Sequence, residues 1–437
     1  MGKLVRDHAL ESPVGRVKSV TTLSRRALVV LLFFPFVYYP VSTVIWFADR
    51  EFTGFYKEAI AGAAAALTVG ALGLQVLVRR REIIRTWSVR DIVSAPESWA
   101  IGFLGWIAVI SLFQREPSTL QNLIVYTVFV AAVCLAAFVG STLDQVVRIF
   151  VIVFASILVV LGFAEAFFDP MRSEAGWQMG GPRLYASYGV IAVVGLFAIR
   201  LATWIRLVVG LALFAGAVIS SSRSSMTTLL VVLAVGLTLT APSAVRRLAW
   251  VAPMAFVSFI VALQQPWIRD HLAVSAITTP GAPIDDSGRG RVWILTVESW
   301  FTQPVVGHGA GSSQTVAGQS DFPLGHPHSE YLRILHDAGL IGFVLFGAFV
   351  VLALIWLWPR AGGKPRGELV TAGFLIVVAG LVLGTIENYL VFPSLMWPAA
   401  VFLGLGLAAA RRDGQSPLDL RRNVRAASSE KTELPQT

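Results

Sequence analysis

Residues 326–342 read HPHSEYLRILHDAGLIG, and an apolar run begins at their end and continues to about residue 358. A helix that crosses a bilayer needs roughly 20 apolar residues, and this run is long enough. Similar runs recur along the chain, which is 55% hydrophobic and 14% charged. Soluble domains carry about 25% charged residues. The sequence therefore predicts an all-α membrane protein that crosses the bilayer many times.

Apolar stretches of the required length can be counted along the sequence, and they predict a polytopic helix bundle with about 12 transmembrane helices. The candidate spans cover residues 27–48, 59–78, 99–113, 120–140, 146–168, 184–199, 201–220, 226–241, 248–263, 339–358, 369–390 and 395–410.

The distribution of basic residues predicts the orientation of this bundle. With the N-terminus inside, 25 of the 35 Lys and Arg residues fall on the inner side and 10 on the outer side, as expected for cytoplasmic loops. We therefore expect cytoplasmic tails at 1–26 and 411–437, the second disordered, around a transmembrane domain at 27–410. The long loop 264–338 then lies outside. Within it, RVWILTVESWF (291–301) has the spacing of an amphipathic helix on the bilayer surface.

Composition also narrows the classes of function. The net charge of +9 follows from membrane topology, so it gives no reason to expect a nucleic-acid partner. The only cysteine, Cys134, lies in an apolar run, which excludes an intramolecular disulfide. A metal site would have to use histidines and carboxylates.

Two arginines on the outer side are candidates for binding an anion. Arg223 lies in SSSRSSM (220–226) between two spans, and Arg289 lies between Gly288 and Gly290 in DDSGRGRVW (285–293). An arginine beside a hydrophobic helix keeps its charge, so it must face water or hold a partner. The alternatives are a snorkelling interface anchor for Arg223 and a solvated turn for Arg289.

The stretch quoted first predicts a short helix before the span. Pro327 disfavours a helix at His326, so we expect the helix to begin near His328 and to stop at Gly339. At the start of this helix the dipole would disfavour protonation of His328, which suits a general base. The charged residues of this helix are spaced three and four apart, and we expect them to pair on its wet face: Glu330, Arg333 and Asp337.

Three other histidines share the outer loop with His328: His308, His326 and His336. A metal site is therefore an alternative, although no cysteine supports it and the proline between His326 and His328 orients the two rings poorly for one ion. A third interpretation is that these histidines only stabilise the fold.

Two further outer features complete the candidate set. GHGAG (307–311) predicts a flexible turn, and it lacks the lysine and the strand-to-helix context of a nucleotide loop. Glu387, in ENY (387–389), could pair with the arginines or position substrate hydroxyls.

The order of these motifs resembles the O-antigen ligase and O-antigen polymerase superfamily. The matching elements are an arginine between two spans, S-G-R-x-x-x-W at 287–293, G-x-G-x-G at 307–311, and H-x-H-S-x-Y-L followed by GLIG at 326–342. The likeness covers roughly residues 220–345. Ser329 stands where the family usually has Asn.

The resemblance implies a glycosyltransferase in the bacterial inner membrane. Such an enzyme moves a glycan from an undecaprenyl-pyrophosphate carrier to an acceptor hydroxyl at the outer face. The acceptor would be a glycolipid for a ligase, which we favour, or a second carrier-linked glycan for a polymerase. A lipid or polysaccharide transporter is the alternative of another class, but it would place charged residues at mid-membrane depth.

Carried over residue by residue, the resemblance gives Arg223, Arg289 and His328 the catalytic roles. Arginines suit a diphosphate leaving group, because they give permanent charge and bidentate hydrogen bonds. We expect no metal and no other cofactor. The predicted substrate-binding residues are Arg291, His326, Tyr331 and Glu387.

Overall fold

A computed structural model describes residues 20–36, 50–86, 89–114, 116, 118–168, 181–219, 222–240, 289–319, 326–362 and 367–412. No strand occurs in these ranges, and the prediction of an all-α membrane protein is confirmed. The helices are α1 (20–36), α2 (Arg50–Thr86), α3 (Val89–Ser94), α4 (Pro96–Phe113), α5 (Thr119–Val139), α6 (Asp144–Phe168), α7 (Gly181–Ala198), α8 (Thr203–Ile219), α9 (Arg223–Thr240), α10 (Arg289–Trp300), α11 (Ser312–Gly318), α12 (Glu330–Leu357), α13 (Gly367–Leu383) and α14 (Pro393–Arg412).

Six helices in the described ranges are long and apolar enough to cross a membrane. They are α2, α4, α5, α6, α12 and α14, and shorter apolar helices occur in α7, α8, α9 and α13. The predicted span 248–263, loop residues 264–288 and most of both tails lie outside the described residues.

Helix α14 lies at the centre of the bundle, packed mainly against α5 and α13. Its residues from Ser394 to Ala410 are all buried. Small residues allow the close approach, as is common between membrane helices. A Cβ added at Gly373 of α13 would lie 3.0 Å from the Cα of Gly406 in α14.

The bundle has two ends. We call one the motif end, because it carries residues 326–342 together with the C-terminus of α4 and the N-terminus of α12. At the opposite end, Arg411 of α14 forms an ion pair with Glu97 of α4 and lies over the ring of Trp356 in α12. These contacts fix α4, α12 and α14 to one another away from the candidate site.

The short helix predicted before the span is present as the first part of α12. It begins at Glu330, two residues after His328, where the Ser329 side chain caps it by accepting a hydrogen bond from the Leu332 N–H. It ends at Gly339 as predicted, because that residue has non-helical angles (φ 64°, ψ −171°), and a second helix follows on the far side of the break. The charged segment and the membrane span therefore meet at a kink within α12.

Helix α13 ends at Leu383, so the predicted span 369–390 is too long at its C-terminus. The chain leaves the helix because the carbonyl of Gly384 accepts the Glu330 N–H at 2.8 Å. Residues 384–392 form a turn that includes a short 3₁₀ helix, Tyr389–Val391. This turn carries Glu387 to the motif end.

Candidate active site

One carboxylate at the motif end contacts three separate segments of the chain. Glu387 Oε1 accepts hydrogen bonds from Arg289 Nη2 at 3.2 Å and from Ser224 Oγ at 3.0 Å, and Oε2 lies 3.2 Å from His328 Nδ1. We call these four residues the Glu387 cluster. It joins the start of α10, the start of α9, the segment 326–328 (the HPH segment) and the turn after α13.

The surroundings of Glu387 keep its carboxyl group ionised. Burial alone would raise its pKa, but the hydrogen bond from His328, the positive charge of Arg289 and the hydrogen bond from Ser224 lower the pKa below its usual value. The side chains are partly accessible, with 16% of Glu387, 17% of Arg289 and 20% of His328 exposed. The cluster is thus an ionised site that a ligand can reach.

The contact with Glu387 decides which nitrogen of His328 is available in the neutral ring. Because an ionised carboxylate only accepts hydrogen bonds, Nδ1 must carry the proton in this contact. In the neutral ring Nε2 then has the lone pair, which is the arrangement of a general base with an orienting carboxylate.

The backbone at His328 adopts an unusual conformation that several contacts maintain. Its φ is +50°, and among the described residues it is the only one other than glycine with a positive φ. Such angles cost free energy and concentrate at functional sites. Trp293 Nε1 donates to the carbonyl of Pro327 at 2.6 Å, and the next residue, Ser329, caps α12. Contacts at the residues before and after His328 therefore maintain its unusual backbone conformation.

The two arginines of DDSGRGRVW have different environments. Arg289 is the first residue of α10 and belongs to the Glu387 cluster. Arg291 is exposed. Two residues further along a helix is about 200° around its axis, so α10 directs Arg291 away from the cluster.

Arg223 is the first residue of α9, and its side chain lies outside the described part of the structure. Its neighbours are described. Ser224 donates to Glu387, and Ser222 Oγ donates to Ser225 Oγ at 3.0 Å. The SSSRSSM turn is therefore next to the cluster.

His326 and Tyr331 flank the cluster without joining it. His326 is hydrogen-bonded to Gln314 Nε2 through Nδ1 at 3.0 Å. Burial, together with the nearby charges of Arg333 and His328, lowers the pKa of His326 to about 4, so its ring is neutral at pH 7. The Tyr331 hydroxyl donates to the carbonyl of Leu381 at 2.7 Å.

The predicted wet face of the short helix is wrong. Glu330, Arg333 and Asp337 are each no more than 1% exposed. Arg333 does pair with Glu330, with Nε donating at 2.8 Å, and its Nη1 donates to Asn122 Oδ1 of α5 at 3.1 Å. Its guanidinium also lies over the ring of Tyr126. This buried group attaches α12 to α5 beneath the site.

Asp337 instead organises the glycine loop 307–311. Its Oδ2 accepts from the Gly311 N–H at 2.9 Å, its Oδ1 from the Ser313 N–H at 2.8 Å, and its carbonyl from the Gly309 N–H at 2.8 Å. The glycines of GHGAG have φ between 83° and 87° and are buried. The predicted turn is present, and these backbone hydrogen bonds attach it to the kink in α12.

Ser299, His336 and Asp337 have the residue types of a nucleophile, base and acid. His336 Nε2 lies 3.0 Å from Ser299 Oγ, and Nδ1 lies 3.4 Å from Asp337 Oδ1. However, Nδ1 is nearer to Ser312 Oγ, at 3.1 Å, and the Asp337 oxygens already accept backbone N–H groups. We interpret this group as structural, which is one of the readings open for the loop histidines.

Metal-ligating side chains do not converge in the described residues. No group of three or more His, Cys, Asp or Glu there is arranged to hold a metal ion. His308 and His336 stack with their ring centroids 4.5 Å apart, rather than pointing their nitrogens at one point.

The middle of the chain matches a known family. The family model described as O-antigen ligase matches residues 207–347. The match supports the O-antigen ligase and polymerase superfamily. The resemblance predicted from the motifs is thereby confirmed over this stretch of the chain. Comparison with curated proteins gives no match.

The O-antigen ligase match supports a glycosyltransferase of ligase or polymerase type, with a lipid-linked glycan and an acceptor as substrates. Together with the membrane-spanning helices it supports a multi-pass bacterial membrane protein. The matched stretch contains Ser224, Arg289 and His328 and ends before Glu387. The cluster thus joins the O-antigen ligase region to the C-terminal helices.

Two residues that contribute to the site were not predicted, although each lies within a motif that was. Ser224 follows Arg223 in SSSRSSM, and Trp293 closes the S-G-R-x-x-x-W motif. Both motifs pointed to their arginines. The hydrogen bonds that Ser224 and Trp293 make depend on contacts with distant segments, which the motifs do not encode.

Proposed function

We propose that the chain is a metal-independent glycosyltransferase of O-antigen ligase type. It moves a glycan from undecaprenyl pyrophosphate to an acceptor hydroxyl at the outer face of the inner membrane. The observation that carries this proposal is the Glu387 cluster, where a guanidinium and an imidazole share one ionised carboxylate.

The arginines bind the diphosphate of the donor. Within the cluster the positive charge of Arg289 is balanced by Glu387, so a net positive charge must come from another group. Arg223 begins α9 directly beside Ser224 of the cluster. We assign to Arg223 the additional charge that holds the diphosphate, and to Arg289 the stabilisation of the charge that develops as it leaves.

His328 acts as the general base. Its Nε2 takes the proton of the acceptor hydroxyl while the hydroxyl oxygen bonds to the anomeric carbon. The bond from that carbon to the diphosphate oxygen breaks, and the lipid diphosphate leaves with the electron pair. Glu387 stabilises the imidazolium that forms, since its carboxylate faces Nδ1.

A groove beside the cluster supports a lipid-linked donor. Apolar side chains of α12, α13 and α14 line most of it, among them Phe346, Phe349, Ile376 and Leu395. At its polar end lie Glu330, Tyr331 and Tyr389, which are two or three residues from His328 and Glu387. An isoprenoid chain in this groove would place its diphosphate at the cluster.

The remaining predicted contacts serve the sugar and the acceptor. His326 is neutral beside His328, so it can exchange hydrogen bonds with hydroxyl groups. Tyr331 lines the groove, and Arg291 is exposed on α10, where it could meet an anionic acceptor. A polymerase would use the same donor and groups, so the acceptor in the assay distinguishes the two.

The test uses the purified full-length protein with undecaprenyl-pyrophosphate-linked glycan and a lipid A core acceptor. Removing a general base lowers a rate about 10²- to 10⁴-fold. We expect His328→Ala to lower kcat by that factor while donor binding stays near the wild-type value. Covalent transfer by a single protein also separates an enzyme from a transporter.

The matched control is His308→Gln. His308 lies in the same loop, but its Nε2 contacts Thr302 Oγ1 at 2.8 Å, away from Glu387. We expect this variant to keep its activity. Transfer by His328→Ala at the wild-type rate would remove the base from the mechanism.

A further inference from the structure

The turn that follows α10 exposes large apolar side chains. Phe301 is 65% exposed, Val305 52% and Val306 38%. These residues lie outside the candidate membrane spans. Apolar side chains grouped in this way mark a surface that meets another apolar phase.

The exposed turn is attached directly to the membrane-spanning part of α12. The Leu340 N–H donates to the Pro304 carbonyl at 2.9 Å, and the Ile341 N–H donates to the Val305 carbonyl at 3.2 Å. Leu340 is 50% exposed and Ile341 37% exposed. Both belong to a candidate span, so their exposed faces meet lipid.

The last turn of α4 extends the same apolar surface. Leu112 is 65% exposed and Phe113 is 82% exposed at the end of a candidate span. The next residue, Gln114, contacts Gln303 in the turn. The turn that carries Phe301, Val305 and Val306 is thus attached to the ends of two candidate spans whose exposed side chains are apolar.

The exposed face of α10 itself has a different character. Arg291 and Glu298 occupy it together with Ile294. Charged side chains at this face suit water rather than acyl chains. The apolar surface therefore continues from the turn onto α4 and α12 but not along α10.

We propose that residues Phe301, Val305 and Val306 form a wedge that inserts into the acyl chains of the lipid leaflet at the motif end. The Trp300 indole N–H donates to the Pro304 carbonyl at 3.1 Å, which couples the wedge to α10. Arg289 is at the other end of α10. The leaflet thus holds in place the helix that carries an arginine of the Glu387 cluster.

Site-directed spin labelling tests the wedge on the full-length protein in lipid nanodiscs. In a Cys134→Ala background, nitroxide labels are placed through Val305→Cys and, separately, through Glu298→Cys as the matched aqueous control. We expect the label at residue 305 to collide with oxygen and to be shielded from a water-soluble nickel chelate. The label at 298 should show the reverse.

Two results would overturn the wedge. The first is a label at 305 that the nickel chelate reaches as readily as the label at 298. The second is dipolar broadening between labels at 305, since it would show a second copy of the chain on this surface. If Val305→Cys does not fold, Phe301→Cys replaces it with the same expected and contrary results.

Discussion

At the scale of single residues, the main feature of the site is that Glu387 contacts two functional groups at once. It balances Arg289 and orients His328 through different oxygens. The first contact limits the net charge that meets the donor, and the second determines the nitrogen that meets the acceptor. A carboxylate shared in this way couples the binding of the donor to the orientation of the general base, His328.

Glu387→Gln tests this coupling. Glutamine keeps the shape of the side chain but removes the ionised acceptor, so Nδ1 of His328 loses the partner that orients the ring. On the proposed mechanism we expect kcat to fall on the order of 10²-fold, within the range for lost acid–base catalysis. Donor affinity should stay equal or rise, because Arg289 is no longer balanced. Steady-state kinetics and donor titration measure the two effects separately.

Glu368→Gln is the control for Glu387→Gln. Glu368 pairs with Arg200, whose side chain is 79% exposed, and it lies at the start of α13 rather than at its end. This variant should leave kcat unchanged. If Glu387→Gln lowered donor affinity and left kcat intact, Glu387 would be a substrate ligand only.

The sequence predicted Arg289 and His328 as site residues, and the structure places them within reach of one carboxylate. The same approach misjudged Glu330 and Arg333. Their spacing correctly predicted a pair, but spacing does not reveal whether a helix face meets water or another helix. The deciding partner, Asn122, is 211 residues away from Arg333.

At the scale of elements, the kink of α12 and the glycine loop form one unit. A Cβ at Gly339 would overlap the Val305 carbonyl, and a Cβ at Gly307 would overlap the backbone nitrogen of Gly339. The loop can lie against the kink only because both backbones lack side chains at these positions. The pattern G-x-G-x-G predicted a turn, but the surfaces against which this turn packs come from α4, α5 and α12.

Gly339→Ala should destabilise this unit. The angles at Gly339 (φ 64°, ψ −171°) belong to a region that is essentially restricted to glycine, and strain of this kind costs about 1–3 kcal/mol. We expect a lower Tm in detergent and a loss of transfer activity, because the HPH segment is attached to the same helix.

Gly347→Ala provides the comparison within the same helix. Nothing lies within 4 Å of a Cβ at Gly347, and alanine is favoured over glycine in a helix by about 1 kcal/mol. Its Tm should stay the same or rise. Equal Tm values for Gly339→Ala and the wild type would mean that the kink is not required for the fold.

At the scale of the whole molecule, the described helices overlap the spans predicted in the same ranges, because hydrophobic length is a strong signal in a bilayer. The ends agree less well. Helix α13 stops before the predicted span does, since the carbonyl of Gly384 accepts a hydrogen bond from the N-terminus of α12. The hydrophobicity of the sequence does not predict that contact. The side of the membrane on which the cluster lies rests on the distribution of Lys and Arg, which acts during insertion and leaves no mark on the helix packing.

The orientation can be tested with single cysteines in a Cys134→Ala background. Thr315 is exposed at the motif end, and Arg412 is exposed at the end of α14. The excess of basic residues around the termini predicts that the motif end lies outside. In spheroplasts, a membrane-impermeant maleimide should therefore label Thr315→Cys at once and Arg412→Cys only after permeabilisation. The reverse order would place the Glu387 cluster in the cytoplasm, where a donor displayed on the outer leaflet could not reach it, and the proposed reaction would fail with the orientation.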